Sequence, residues 1–208
     1  MDYDAILFDF DGVLVDSEPL HCECWSEVLA PFGIRLDWPT YRAEFIGETD
    51  RMLVDVLCSR HTPPLDPDAV WLQYPRKKVL FAERMSLQPP FAHGIISLLR
   101  ALSAEYKLAV VTSSGRSEVE PVLVRAGIRE LFDAAVFGSD VPRLKPAPDP
   151  YLKAVAALGA RRPLAVEDSR AGVASARAAG CDVVEVDRPA RVVELVMRKL
   201  ERNSNKTP

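Results

Sequence analysis

Several features that would restrict the class of this protein are missing from its sequence. No apolar run approaches the roughly 18 residues of a membrane-spanning helix, and strand-like sequence begins almost at Met1, which leaves no room for a signal peptide. Basic residues are not in excess, since 26 Lys and Arg stand beside 30 Asp and Glu. We therefore expect neither a membrane nor a nucleic acid as a partner, and we expect a cytoplasmic location. We also take the protein to be a monomer.

Cysteine is sparse and follows no metal-binding or disulfide pattern. The four cysteines are Cys22, Cys24, Cys58 and Cys181. They form neither a disulfide framework nor two C-x-x-C pairs, and a chain of 208 residues hardly needs disulfide staples. The segment around His21 has no second pair of ligands at usable spacing, so we assign no zinc to it. We expect reduced thiols that serve as small buried apolar side chains.

A short apolar run that ends in acids is the most informative segment of the chain. Residues 5–18 read AILFDFDGVLVDSE. Asp9 and Asp11 leave the end of a predicted strand two residues apart, so both carboxylates point to the same side. Gly12 allows a sharp turn behind them, and its position, fourth instead of sixth, excludes a calcium loop. Because ligands of doubly wound sheets bind beyond the carboxyl ends of the strands, we expect chemistry here.

The pattern of predicted helices and strands changes twice along the chain, which predicts two structural parts. From Leu20 to about Leu87 the chain reads as helices without a convincing strand, which is typical of an inserted helical module. From Gln88 onward helix and strand alternate, which predicts a parallel sheet with helices on both faces. We predict an α/β fold with a Rossmann-like, doubly wound core of residues 1–16 and 88–208. Residues after about Glu201 are expected to form a frayed polar tail.

Chemistry-bearing residues follow three of the predicted strands. Residues 112–115 (TSSG) follow the second strand, and Glu167 with Asp168 follows the fourth. A parallel sheet brings the ends of these strands to one edge, where they can meet the two aspartates that follow the first strand. Lys145, just before a predicted helix, adds a cation. Each of these residues alone has an ordinary structural explanation, but their order along the chain predicts one shared site.

Together these motifs resemble the four motifs of the haloacid dehalogenase superfamily of phosphohydrolases, over nearly the whole chain. D-F-D-G-V is similar to the first motif, Thr112 in V-V-T-S-S to the second, and Lys145 in L-K-P-A-P-D to the third. Glu167-Asp168 in V-E-D-S is similar to the fourth. The insertion at residues 17–87 resembles the small helical cap domain of the subgroup that contains phosphoglycolate phosphatase, sugar phosphatases and beta-phosphoglucomutase.

The resemblance implies a phosphatase that hydrolyses a small, sugar phosphate-like metabolite through a phospho-aspartate intermediate. Asp9 would attack phosphorus, because a carboxylate forms an acyl phosphate that is hydrolysed in a second, easier step. Asp11 would protonate the leaving oxygen and then deprotonate the attacking water. Lys145 and the Thr112 hydroxyl would hold the phosphoryl oxygens.

The same resemblance implies Mg²⁺ as the cofactor. Its ligands would be the carboxylates of Asp9 and Asp168 and the main-chain carbonyl of Asp11, which are the hard oxygens that Mg²⁺ prefers. Glu167 is better suited to order the waters of the metal. We therefore expect a magnesium-dependent phosphoric monoester hydrolase.

A sugar phosphomutase of the beta-phosphoglucomutase type is the nearer alternative. Ser17, His21 and Trp25 resemble residues of the hinge and first cap helix of that enzyme. The mutase carries an arginine soon after the cap glycine, whereas here Gly47 is followed by Glu-Thr-Asp-Arg, and its second motif continues with Ser-Lys-Asn, whereas here it continues with Ser-Gly-Arg. Arg51 and Arg116 could substitute, but neither is in register.

A phospho-aspartate signalling module that acts as a non-catalytic switch is the more distant alternative. Modules of that kind lack the D-x-D pair and the helical cap, so both features count against it. Substrate contacts are expected from polar side chains near the second motif and in the helical insertion. The candidates are Ser113, Ser114, Arg116, Glu18, His21 and Arg51.

Overall fold

A computed structural model describes residues 3–204 of the chain. These residues divide into two compact units: Ser17–Pro89 form a helical unit, and the residues up to Asp16 and from Pro90 onward form a sheet unit. Among residues 3–204, no helix combines the length and the apolarity that crossing a membrane requires.

The helical unit contains five α-helices around its own apolar core. They are α1 (Glu18–Leu29), α2 (Trp38–Glu44), α3 (Asp50–Arg60), α4 (Pro67–Trp71) and α5 (Tyr74–Leu87). Helix α3 begins after Thr49, whose hydroxyl accepts the N–H of Met52 and so satisfies one of the first-turn donors. The fully buried Trp25 of α1 belongs to a core that also includes Leu53 and Val54 of α3.

Within its described residues, the sheet unit contains five parallel strands in the order β3-β2-β1-β4-β5. The strands are β1 (Ala5–Phe8), β2 (Lys107–Val111), β3 (Ala134–Val136), β4 (Pro163–Glu167) and β5 (Asp182–Glu185). The first strand of the sequence is therefore the central one, with β2 and β4 on either side. The predicted parallel α/β architecture is confirmed.

Both faces of the central strands are buried, which explains their continuous apolar sequences. Leu7 pairs with Ala109 of β2 and Ala165 of β4, and all three lie in one core cluster. Their neighbours Ile6 and Leu164 point to the opposite face and are equally inaccessible to solvent. Strands covered on both faces lose the alternation of polar and apolar residues, as in β1 and β4.

The helices of the sheet unit cover these faces. They are α6 (Ile95–Leu102), α7 (Arg116–Arg125), α8 (Asp149–Leu158), α9 (Arg170–Ala178) and α10 (Val192–Ser204). Helix α8 packs on β1, β2 and β3, and α9 packs on β4 and β5. The expected frayed tail after Glu201 is wrong for residues 202–204, which continue α10, and the rest of that tail lies outside the described residues. The four cysteines are unpaired and buried.

Candidate active site

The carboxyl ends of three neighbouring strands bring the predicted motif residues to one edge of the sheet. Asp9 directly follows β1, Thr112 directly follows β2, and Glu167 is the last residue of β4. Lys145 reaches the same edge from the segment between β3 and α8. Parallel strands place their carboxyl ends together regardless of their separation in sequence, so the fold assembles these side chains.

Lys145 contacts the carboxylates of both Asp9 and Glu167. Its buried ammonium lies 2.8 Å from Asp9 Oδ1 and 2.6 Å from Glu167 Oε1, and it donates to the main-chain carbonyl of Val111 at 2.9 Å. Burial opposes the charge of Lys145, but the carboxylates of Asp9 and Glu167 outweigh this effect and raise its pKa. All three N–H donors of the ammonium therefore have acceptors, and the group is a fixed cation.

Asp9 follows the central strand and is only 7% exposed. The N–H of Phe10 donates to Oδ1 at 2.8 Å, the same oxygen that Lys145 contacts. Burial raises the pKa of Asp9, Lys145 opposes this rise, and the carboxylates of Glu167 and Asp168 add to it. The carboxylate of Asp9 is thus held in one orientation, and Lys145 is the group that favours its ionised form.

Asp9, Glu167 and Asp168 together form a cluster of carboxylates. Each contributes one oxygen, and these oxygens lie within 4.8 Å of one another. The side chain of Asp168 is exposed on its outer side, yet desolvation by the surrounding protein, followed by repulsion from Glu167, raises its pKa to about 7. Hard anionic oxygens at this spacing suit Mg²⁺, whose charge would offset their mutual repulsion. The donor set therefore fits the expected metal.

Two glycines make room for the carboxylates of this cluster. Gly12 has a positive φ of 72°, and a Cβ atom on it would lie 1.9 Å from Asp168 Oδ2. Gly172, in the first turn of α9, would place a Cβ atom 2.0 Å from Glu167 Oε2. The backbone of α9 therefore packs directly against the Glu167 carboxylate, and a larger residue at position 172 has no space.

Replacement of Gly172 by alanine is expected to destabilise the protein, because the new methyl group overlaps a carboxylate that cannot move away. Overpacking of this kind costs about 1–3 kcal/mol in the free energy of unfolding, measured by denaturant titration. The matched control is Gly115→Ala, whose Cβ would meet no atom closer than 3.6 Å. Equal unfolding free energies for the two variants would contradict the close packing of α9 on Glu167.

Glu167 is fully buried and accepts hydrogen bonds from side chains that the sequence analysis did not single out. The hydroxyl of Tyr151 donates to Oε1 at 2.7 Å, and the hydroxyl of Ser169 donates to Oε2 at 3.3 Å. Burial raises the pKa of Tyr151, so its phenol remains a donor. Tyr151 shares its helix face with Ala154 and Leu158, so the helical period of α8 could have predicted that it faces the sheet.

The segment after β2 connects the second motif to Asp11. Thr112 is buried, and its Oγ1 accepts the N–H of Ser114 at 3.0 Å. The hydroxyl of Ser114 donates to Asp11 Oδ2 at 2.9 Å, so the structure brings these two predicted site residues together. Ser113 is exposed, and its carbonyl packs against Gly138, where a Cβ atom would lie 2.2 Å away. The tight turn after β2 thus orients the Asp11 carboxylate.

Arg116 is engaged by other partners on the surface of the sheet unit. Its guanidinium donates to Asp140 Oδ2 at 3.0 Å and to Glu120 at 3.4 Å, and it stacks over the ring of Phe137 at 4.3 Å. These contacts lock the first residue of α7 against the segment that follows β3. Arg116 is therefore anchored by carboxylates of its own unit.

The remaining candidates, Glu18, His21 and Arg51, belong to the helical unit. Glu18 accepts the hydroxyl hydrogen of Tyr41 at 2.8 Å. His21 Nδ1 lies 2.8 Å from the ammonium of Lys77, which is 2% exposed. That ammonium also donates to Asp50 at 3.1 Å, so it forms a partly buried ion pair that the sequence did not reveal.

Arg51 is tied into ion pairs within the helical unit. Its guanidinium contacts Asp55 at 2.9 Å and Asp68 at 2.8 Å, and it lies over the ring of Trp71 at 5.6 Å. These partially exposed pairs contribute little to stability, but they determine where the side chain lies.

Comparison with known proteins identifies a family model and relatives that match most of this chain. A family model described as "Haloacid dehalogenase-like hydrolase" matches residues 6–186 of the chain. The chain is 31% identical to the fructose-1-phosphate phosphatase YqaB of Escherichia coli, over 88% of this chain and 96% of that protein. It is 30% identical to a phosphorylated carbohydrates phosphatase of Thermotoga maritima, over 86% and 82% of the two chains.

A solved structure is similar to this chain over most of its length. The crystal structure of CbbY from Rhodobacter sphaeroides in complex with phosphate matches with a TM-score of 0.65 and 27% sequence identity. The match covers 91% of this chain and 96% of that one. The range of the family model, residues 6–186, includes the motif residues of the sheet edge and the helical insertion.

Proposed function

The chain belongs to the haloacid dehalogenase-like hydrolase family, and on that basis we propose that it is a Mg²⁺-dependent phosphatase of a small phosphorylated metabolite. The observation that carries this proposal is the contact of one buried ammonium, Lys145, with both Asp9 and Glu167 at the carboxyl edge of the sheet. Relatives named for fructose 1-phosphate and phosphorylated carbohydrates support sugar phosphates as the substrate class.

In this proposal Asp9 is the nucleophile of the phosphoryl transfer. Its carboxylate attacks phosphorus in line with the leaving oxygen and forms a phospho-aspartate, which water then hydrolyses. Lys145 and the N–H of Phe10 hold the carboxylate in one orientation, so little reorganisation is needed before attack. Lys145 also reduces the repulsion between Asp9 and an anionic substrate. We assign Lys145 and the Thr112 hydroxyl as the groups that bind the phosphoryl oxygens.

Asp11 moves the proton in both steps. It protonates the leaving oxygen in the first step and takes a proton from the attacking water in the second. The hydrogen bond from Ser114 to Asp11 Oδ2 holds the carboxyl group in place for this role. A group that alternates between acid and base returns to its starting state after each turnover.

Asp9, Asp168 and the main-chain carbonyl of Asp11 would hold Mg²⁺, and Glu167 would order the waters of the metal. When bound, the ion would neutralise charge on the phosphoryl oxygens. We also propose that the helical unit, Ser17–Pro89, serves as the cap domain and carries the substrate specificity.

The proposal is tested by incubating the purified chain with a panel of phosphate monoesters, with Mg²⁺ or with EDTA, and measuring released inorganic phosphate. We expect turnover of sugar phosphates that EDTA abolishes and that added Mg²⁺ restores. Absence of phosphate release from every ester would refute the phosphatase. Conversion of beta-glucose 1-phosphate to glucose 6-phosphate in the presence of its bisphosphate primer would instead identify the phosphomutase.

A further inference from the structure

We propose that Tyr151 is a positioning residue for Lys145, and that it acts through the carboxylate oxygen that the two residues share. The inference rests on the proposed function, because it concerns how Lys145 becomes able to bind a phosphoryl oxygen. Tyr151 itself touches neither Asp9 nor a substrate in this scheme, and its effect passes through Glu167.

Two donors meet at one oxygen of Glu167. The hydroxyl of Tyr151 donates to Oε1 at 2.7 Å, and the ammonium of Lys145 donates to the same atom at 2.6 Å. Tyr151 is 0% exposed and comes from the first turn of α8, whose packing on the sheet determines where the hydroxyl lies. The Tyr151 ring also lies 5.4 Å from the ammonium of Lys145.

The donors of Lys145 are fully used before a substrate arrives. An ammonium has three N–H groups, and here their acceptors are Val111 O, Asp9 Oδ1 and Glu167 Oε1. A phosphoryl oxygen can therefore accept a hydrogen bond from Lys145 only if one of these three acceptors loses its own hydrogen bond to the ammonium. The carbonyl of Val111 is held in place by β2, and Asp9 needs Lys145 to orient it as the nucleophile. Glu167 is therefore the acceptor that should lose its hydrogen bond to Lys145.

Glu167 cannot yield by moving away. Gly172 packs so closely that a Cβ atom there would overlap the carboxylate, and Ser169 binds its other oxygen. Glu167 can release Lys145 only if its hydrogen bond to the ammonium is weak. A second donor on the same oxygen has this effect, because the negative charge of Oε1 is then shared between two hydrogen bonds. The Tyr151 hydroxyl also satisfies Oε1 while Lys145 shifts towards the phosphoryl group, which avoids an unpaired buried oxygen.

Tyr151→Phe tests the inference, because it removes only the hydroxyl. Lys145 then becomes the sole described donor to Glu167 Oε1 and is drawn towards it. We expect kcat to fall about tenfold, in line with one hydrogen bond to a charged group, while KM changes by less than about twofold. We expect kcat to change more than KM because Lys145 stabilises the phosphoryl oxygens most strongly in the transition state.

The matched control is Tyr3→Phe. The hydroxyl of Tyr3 also donates to a carboxylate, Asp182 Oδ2 at 2.6 Å, but it precedes β1 and so lies at the opposite edge of the sheet. We expect kcat and KM of this variant to equal those of the wild type. A Tyr151→Phe protein that melts earlier but keeps the wild-type kcat and KM would show a purely structural role and overturn the inference.

Crystal structures of the wild type and of Tyr151→Phe supply a readout that does not depend on activity. We expect the ammonium of Lys145 to keep its contact with Glu167 in the variant and to lie farther from Asp9 Oδ1 than the 2.8 Å of the wild type. An unchanged position would overturn the inference even if kcat fell. If the wild type hydrolyses no phosphate ester, the proposed function fails, and the position of Lys145 alone then decides whether Tyr151 positions it.

Discussion

Asp9→Asn is expected to abolish turnover and to leave the protein folded. The amide has nearly the volume of the carboxylate, and its oxygen can still accept the N–H of Phe10, but it cannot form an acyl phosphate. We expect kcat to fall by at least about 10⁴-fold, because catalytic groups that act as a unit lose most of their effect when one of them is removed. The measurement is kcat on the best ester of the panel, with calorimetric binding of inorganic phosphate as the check that the site remains formed.

Asp4→Asn is the matched control for this variant. Asp4 also accepts main-chain N–H groups, those of Arg161 at 2.8 Å and Arg162 at 2.9 Å, but it precedes β1 and lies away from the carboxyl edge. We expect its kcat to equal that of the wild type. Residual activity of Asp9→Asn within tenfold of the wild type would remove Asp9 from the role of nucleophile.

Asp11→Asn is expected to separate substrates by their leaving groups. Alkyl phosphates such as sugar phosphates expel a poor alkoxide that needs a proton, whereas an activated aryl oxyanion leaves without one. General acid catalysis contributes typically 10²- to 10⁴-fold, so kcat/KM for the sugar phosphate should fall at least about tenfold more than that for an aryl phosphate. Both values are measured at one pH with saturating Mg²⁺.

Ser114→Ala provides the companion measurement, since it removes the hydroxyl that donates to Asp11 Oδ2 and leaves the carboxyl group itself in place. We expect the same discrimination between leaving groups, but weaker than in Asp11→Asn. Equal losses on both substrate classes in the Asp11 variant would assign Asp11 to metal binding or to structure and not to proton transfer.

The positions of the main site residues could be predicted because they depend on local pattern. Asp9, Thr112 and Glu167 each end or follow an apolar run, and such runs were recognisable as buried parallel strands. The rule that parallel strands end at one edge then places the three residues together without knowledge of any contact. The order of the strands was not needed for this conclusion.

The partners of those residues could not be predicted in the same way. Tyr151 reaches Glu167 only because α8 packs on the sheet at one particular depth and rotation, and Gly172 matters only because α9 approaches so closely. In the helical unit, Lys77 is buried and paired with Asp50, which lies 27 residues away in the sequence. Such pairings join residues far apart along the chain, and no local period encodes them.

By itself, therefore, the sequence determined the α/β class, the helical insertion and the residues that gather at the carboxyl edge, because burial periodicity and strand ends are local properties. Only the tertiary structure decided how one ammonium is shared among Val111, Asp9 and Glu167, and which hydroxyl supports it. Each of these contacts would be lost if an element shifted by about an ångström, and the close packing of helices and sheet sets the positions of the elements.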